Sequence, residues 1–271
     1  MMKLLQGTIS YPEVKWGKPE DRAKNTPLID IVDEIAGVGA DGLELWGRHL
    51  DGLSDAQVEA LAARIKRSGQ KVVVFGAYTD FSSSEDALKS TLDGAARWPG
   101  LSKLFGFRLV RIFAGAPASA QATEDHWRRA VGGLKRLAAL LKGSGLTCAI
   151  ETHSEQLADT VPGVTRLVTE AADKCIMINY QAMANDPAKV PSELDPIFKW
   201  VVHSHVSLAR DWNKCAEVTV SELARRGYNG PVTVEFCTGS LPPEGEAFSR
   251  PKAIEGMKRN IADLRKVLSA R

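Results

Sequence analysis

Short apolar runs alternate with longer amphipathic stretches along the chain. The runs are rich in Val, Ile and Leu without strict polar alternation, which is typical of parallel strands buried on both faces. Eight such runs predict eight strands: Leu4–Ile9, Gly42–Trp46, Lys71–Gly76, Leu109–Ala114, Thr147–Glu151, Ile176–Tyr180, Trp200–Val206 and Val232–Phe236. The stretches that follow them have the periodicity of helices.

One of these stretches shows how clearly a helix can be predicted. Ser54 and Gln57 have the spacing of a capping box, in which each side chain satisfies the other residue's backbone N–H. Val58, Leu61 and Ile65 then recur at helical steps and form one apolar face. Similar stripes in the other stretches predict helices that cover the strands.

Eight strand–helix units in 271 residues predict an α/β fold, a (β/α)8 TIM barrel with a single domain over residues 1–271. A doubly wound open sheet is the alternative, but it usually has a glycine-rich first turn. The turn after the first predicted strand, Gly7–Tyr11, has no GxGxxG, and the chain has no GxxxxGK[ST]. The longest loops, Tyr11–Asn25, Ala182–Asp195 and Cys237–Ser249, each follow a predicted strand. In barrels such loops build the active-site face.

Charge and composition exclude several classes of protein. The chain has 35 Lys and Arg against 33 Asp and Glu, so its net charge of +2 gives no support to a nucleic-acid partner. No apolar stretch reaches the length of about 18 residues that spans a membrane, and the first residues are too short in apolar character for a signal peptide. Four cysteines without a CxxC pair are typical of reduced thiols, so we expect a cytoplasmic protein.

Polar residues stand at the carboxyl ends of the predicted strands. These are Glu44 on the second, Glu151 on the fifth, Gln181 after the sixth, His205 on the seventh and Glu235 on the eighth. Buried carboxylates and imidazoles need partners, because an unpaired buried charge is costly. Two glutamates, a histidine and an amide oxygen would together satisfy a divalent metal such as Mn²⁺, Mg²⁺, Co²⁺ or Zn²⁺.

In their order along the chain, these residues resemble those of the xylose isomerase-like TIM barrels, the superfamily of sugar (phosphate) isomerases and epimerases and AP endonuclease-like proteins. The resemblance extends over nearly the whole chain. The segments that carry it are Gly39–Leu45, Val110–Gly115, Glu151–His153, Leu157–Thr160, His205 and Val234–Glu235.

The resemblance implies roles for five residues. In isomerases and epimerases of this family, the glutamates that end strands five and eight bind the metal and act as the acid/base pair, and they correspond to Glu151 and Glu235. The metal-binding histidine of strand seven corresponds to His205. The strand-six ligand is usually aspartate, and Gln181 stands there instead. Arg210 lies near the place of a substrate-binding arginine.

Other residues at the strand ends are candidates for substrate binding. We expect Glu44 and the apolar face of Trp46 to contact substrate, and His153 to bind substrate or to orient the neighbouring glutamate. His203 lies two residues before His205 on the same strand face, so the choice of ligand between them stays open.

Three functions remain open. The resemblance favours a metal-dependent isomerase or epimerase of a sugar, sugar phosphate or keto acid, in which two glutamates transfer a proton through a cis-enediolate. A dehydratase or lyase on an inosose-like polyol is the second. A metal-free ligand-binding barrel is the third, because Gln181 is a neutral ligand. Separately, Glu151 and Glu235 have a structural alternative as acids in ion pairs, with Arg111 as the partner. The expected partner is a small carbohydrate, and a homodimer or homotetramer is expected.

Overall fold

A computed structural model describes residues 2–11, 20, 23–243 and 245–270 of the chain. Its strands are β1 Lys3–Gly7, β2 Gly42–Trp46, β3 Val72–Gly76, β4 Leu109–Ile112, β5 Thr147–Glu151, β6 Ile176–Tyr180, β7 Val201–Val206 and β8 Pro231–Val234. The α-helices within the described residues are α1 Leu28–Ala36, α2 Asp55–Arg67, α3 Glu85–Ala95, α4 Trp98–Phe105, α5 Glu124–Leu140, α6 Val161–Ala171, α7 Val190–Ile197, α8 Ala216–Arg225 and α9 Arg250–Ser269.

The strands form one closed barrel in sequence order, and β1 closes it by pairing with β8. The pairing is parallel, with Leu5 opposite Gly42 of β2 and opposite Thr233 of β8. The predicted (β/α)8 barrel is therefore confirmed. The helices between successive strands supply the crossover connections that parallel strands require.

The helices form where the sequence predicts them. Ser54 and Gln57 make both hydrogen bonds of the capping box at the start of α2, and Val58, Leu61 and Ile65 are buried. None of the helices within the described residues is long and apolar enough to cross a membrane. All four cysteines are free thiols. The cytoplasmic location, the homo-oligomer and the domain extent stay predictions.

The contacts within the chain group its residues into two units. The first comprises residues 1–73 and 205–271, and it contains β1, β2, β8 and the last two residues of β7. The second comprises residues 74–204, with β4, β5 and β6 and the helices α3 to α7. The candidate site residues fall into a group in each unit, and each group is described in turn.

Candidate active site

In the first unit, a histidine contacts two carboxylates. His205 Nε2 lies 2.8 Å from Glu44 Oε2, and His205 Nδ1 lies 3.8 Å from Glu235 Oε1. All three residues are less than a tenth exposed. Carboxylate oxygen and imidazole nitrogen are ligands that Mn²⁺, Co²⁺ and Zn²⁺ accept. The donor chemistry of this group therefore fits a divalent cation.

The backbone beside Glu235 is fixed by buried polar groups from the first strand and from the turn that follows it. The Ser10 hydroxyl donates to the Glu235 carbonyl oxygen at 2.7 Å, and the Gln6 amide donates to Ser10 Oγ and to the Val234 carbonyl oxygen. A side chain at Gly7 would lie 3.1–3.2 Å from the backbone of residues 234 and 235. Sequence reasoning missed Gln6 and Ser10, although polar residues beside a buried strand were a usable signal.

In the second unit, Glu151 is paired with an arginine. Arg111 Nε lies 3.1 Å from Glu151 Oε2, and the two side chains are 2% and 0% exposed. The structural alternative considered from the sequence, an ion pair between these two residues, is therefore present. A buried pair of this kind stabilises little by itself, but it fixes the geometry of both groups.

Asn179, on β6, pairs with Glu151, on the adjacent strand β5. The strand register places Asn179 opposite Glu151 on one side and opposite His203 on the other. Its side chain is fully buried, and its amide makes no hydrogen bond to any residue that the structure describes. Gln181, the predicted ligand, lies two residues further on, where its backbone N–H and carbonyl both bond to Thr152 Oγ1 at 2.7 Å. The sequence signal for Asn179 was its position near the end of the sixth strand, two residues before Gln181.

His153 and Trp46 occupy different environments. The half-buried His153 lies edge-on to Phe113, with ring centroids 5.3 Å apart. Trp46 is only 2% exposed and packs in an apolar cluster with residues of its own unit, namely Ile9, Ala209, Phe236 and Leu241. Contact of either side chain with substrate stays a prediction.

Arg210 connects the loop after β7 with the loop after β8. Its Nη2 donates to the Pro242 carbonyl oxygen at 3.0 Å, and its φ of 55° is unusual for a residue other than glycine. Cys237, close to Glu235, donates its thiol to the Ala253 carbonyl oxygen, and burial raises its pKa to about 11. A thiol held protonated in this way is a packing residue.

Glu193 holds the loop after β6, and its replacement tests that loop. Its carboxylate accepts hydrogen bonds from Tyr180 Oη at 2.8 Å and from the backbone N–H groups of Met183 and Ala184 at 3.0 Å. Glu193→Gln puts an amide N–H against these donors, so we expect unfolding free energy to fall by about 2 kcal/mol. Urea unfolding measures this, with the exposed Glu59→Gln as control. Equal midpoints for the two variants would contradict the role of Glu193.

His49 predicts a pH dependence of stability. Its Nε2 donates to the Thr8 carbonyl oxygen at 3.2 Å, its ring lies edge-on to Trp46, and burial lowers its pKa to about 4. The unfolded chain binds a proton near pH 6.5, so stability contributed by neutral His49 is present above pH 6.5 and is lost as pH falls towards 4.

We therefore expect the melting temperature of the wild type to approach that of His49→Gln as pH falls from 7 to 4. Thermal unfolding of both proteins at intervals across this range measures the difference between their melting temperatures. Other titrating groups are common to both proteins, so their effects cancel in this difference. A difference that does not change with pH would show that His49 has an ordinary pKa.

Comparisons with known proteins agree with the fold. The family model described as xylose isomerase-like TIM barrel matches residues 32–183. A 3-dehydroshikimate dehydratase of Bacillus anthracis is 26% identical over 184 residues, which cover 65% of this chain and 64% of the relative. The matched part thus spans less than two thirds of that relative's length.

Solved structures show the same architecture at low identity. A D-psicose 3-epimerase from Clostridium cellulolyticum H10 superposes with a TM-score of 0.76 at 17% identity, covering 98% of this chain and 99% of that one. The probable 3-dehydroshikimate dehydratase from Bacillus anthracis gives 0.70 at 19%, with 98% and 99% covered. A 3-keto-D-glucoside 4-epimerase from E. coli gives 0.73 at 16%, with 98% and 100% covered.

Proposed function

The chain belongs to the xylose isomerase-like TIM barrel family, and on that premise we propose that it is a metal-dependent isomerase or epimerase of a small sugar, sugar phosphate or keto acid. The observation that carries the proposal is the buried contact of His205 with the carboxylates of Glu44 and Glu235. Buried carboxylates at the strand ends of a barrel are in the place where such folds keep their catalytic residues. We assign cation binding to Glu151, Gln181, His205 and Glu235.

Asn179 adds a detail to this assignment. Its buried amide oxygen lies on the strand next to Glu151 and is a neutral ligand of the same kind as Gln181. Asn179 is thus a second candidate for the strand-six ligand. A neutral ligand at this place would hold a divalent cation less tightly than a carboxylate.

The two glutamates carry the proposed proton transfer. A bound divalent cation supplies Lewis-acid polarisation of a substrate carbonyl oxygen. Glu151 takes the proton from the carbon next to that carbonyl, and the electron pair of the C–H bond forms the enediolate. Glu235 returns a proton to the opposite face for epimerisation or to the neighbouring carbon for isomerisation. Two carboxylates are needed for epimerisation because one base reaches only one face. Glu44, Trp46, His153 and Arg210 are the proposed substrate contacts.

Dehydration is the second candidate, and the 26% identity to a 3-dehydroshikimate dehydratase favours it. The first step is the same, because a glutamate removes a proton next to the carbonyl. The electron pair then expels a hydroxyl group from the adjacent carbon as water, after protonation by the second glutamate. A ring substrate with a carbonyl and a β-hydroxyl group meets this requirement.

Incubation with Mn²⁺ in D₂O separates these functions. D-psicose, D-tagatose and 3-dehydroshikimate are each followed by NMR. Deuterium at the carbon next to the carbonyl, with a new sugar signal, is expected for an epimerase or isomerase, and a product lacking one water for a dehydratase. Removal of Mn²⁺ by a chelator should stop either reaction. If no Mn²⁺ binds and no substrate exchanges deuterium, the proposal is wrong, and the metal-free ligand-binding barrel is the function left to test.

A further inference from the structure

Arg111 is held in one position by its neighbours. Nη1 donates to the Ala77 carbonyl oxygen at 3.0 Å, and Nε lies 3.1 Å from Glu151 Oε2. The guanidinium carbon lies 4.6 Å from the ring centroid of Phe113 and 5.1 Å from that of Tyr78. Both contacts are in the range of cation–π interactions. The side chain, 2% exposed, therefore has little freedom to leave Glu151.

The charge of Arg111 acts directly on Glu151. Arginine stays protonated in proteins, so a positive charge always lies beside Oε2 of Glu151. Both side chains are buried, and opposite charges interact more strongly in the protein interior than at the surface. The carboxylate of Glu151 consequently offers less net charge to a second cation than an unpaired carboxylate would.

We propose that Arg111 is a positioning residue that fixes Oε2 of Glu151 and weakens the binding of a divalent cation by that carboxylate. This inference rests on the proposed function, in which Glu151 is a ligand and a base. A fixed carboxylate suits proton transfer, which depends on the placement of the base. The lower affinity for the cation follows from the charge of the guanidinium alone. Substitutions of Arg111 can therefore separate the effect of its charge from the effect of its geometry.

Two variants make this separation. Arg111→Met removes the positive charge beside the buried carboxylate of Glu151, so that a bound cation no longer shares this carboxylate with a guanidinium. We expect Mn²⁺ to bind this variant about tenfold more tightly than the wild type, because the loss of a buried partner costs more than the 1.4 kcal/mol that a tenfold change represents. Arg111→Lys keeps the charge but not the planar fork, so its affinity for Mn²⁺ should stay within about twofold of the wild type.

Mn²⁺ alone is titrated into the whole chain and free Mn²⁺ is followed by electron paramagnetic resonance. The matched control is Arg166→Met, because Arg166 also pairs with carboxylates, Glu124 and Glu170, and lies 4.8 Å from the Trp127 ring, but on the outer helices. Its loss should leave Mn²⁺ affinity unchanged. A merely structural role of Arg111 would weaken binding in the Met and Lys variants alike.

The outcomes distinguish the two proposals. Wild type that binds no Mn²⁺ overturns the proposed function and this inference with it. Wild type that binds Mn²⁺, with Arg111→Met binding equally or more weakly, overturns the inference alone. If Arg111→Met does not fold, Arg111→Lys decides: affinity within about twofold supports charge as the determining property, and a larger change in either direction overturns it.

Discussion

Glu235→Gln is expected to lower the rate of deuterium exchange into substrate by on the order of 10³-fold, because amide replaces carboxylate at a proposed acid/base group. The substitution preserves size. Two hydrogen bonds that fix the local backbone, from Ser10 to the carbonyl of residue 235 and from Gln6 to the carbonyl of Val234, do not involve the carboxylate. The variant should therefore fold and lose activity without losing its melting temperature. Glu151→Gln is expected to lose exchange activity to a similar extent, but also to lower the melting temperature, because it removes the buried carboxylate that pairs with Arg111.

The measurement is NMR exchange in D₂O with Mn²⁺ present, on the substrate that the wild type turns over. Glu217→Gln is the control, because Glu217 is an exposed acid in the first turn of α8. Its exchange rate should equal that of the wild type. If Glu235→Gln keeps more than about a tenth of the wild-type rate, its acid/base role is wrong, since a positioned acid or base typically contributes 10²–10⁴-fold.

Gly256→Ala is expected to destabilise the protein by about 3 kcal/mol, the upper end of the cost of overpacking. Gly256 lies in α9 against the backbone of Thr238, and an added Cβ would fall well inside contact distance of the Thr238 carbonyl oxygen. A backbone carbonyl cannot turn aside as a side chain can. The loop is also fixed by Asn260, whose Oδ1 accepts from the Thr238 N–H at 2.8 Å and whose amide donates to Thr238 Oγ1.

Thermal and urea unfolding measure this loss, which corresponds to roughly 6–12 °C in melting temperature for a chain of this size. Gly132→Ala is the matched control, because Gly132 is also a helical glycine but, among the residues that the structure describes, no atom outside its own stretch of helix lies within 4 Å of the added Cβ. Alanine there should stabilise the helix by up to about 1 kcal/mol. Equal effects of the two substitutions would show that α9 can move away from the loop without cost.

The barrel could be predicted from the sequence because strands buried on both faces have a continuous apolar pattern. The carboxyl ends of the strands were predicted less accurately. The first, fourth and eighth strands were predicted to end at Ile9, Ala114 and Phe236, but they end at Gly7, Ile112 and Val234. Apolar residues continue past the sheet there because the loops themselves are buried. Ile9 and Phe236, for example, join the apolar cluster around Trp46.

The candidate site, too, could be predicted only in part from the sequence. Strand-end position was enough to propose Glu151, His205 and Glu235 as site residues, and their roles stay predictions. The position of Asn179 beside Glu151 could not be obtained from spacing, because residues 179 and 181 both lie at the carboxyl end of the sixth strand. That choice depends on the register of β6 with its neighbours, and the β6–β7 pairing shifts between Ile178 and Asn179. The contact of His205 with Glu44 likewise joins residues from strands far apart in sequence.

The closure of the barrel by β1 and β8 has a consequence during synthesis. Leu5 pairs with Thr233, so one edge of β1 has no partner from β8 until 228 further residues have been made. At 5–20 residues per second, a ribosome needs roughly 11–46 s to make them. During that time the apolar first strand presents an open edge, which is a template for pairing with other chains. Slow translation or crowded polysomes should therefore favour aggregation of nascent chains, and a chaperone that covers β1 would protect them.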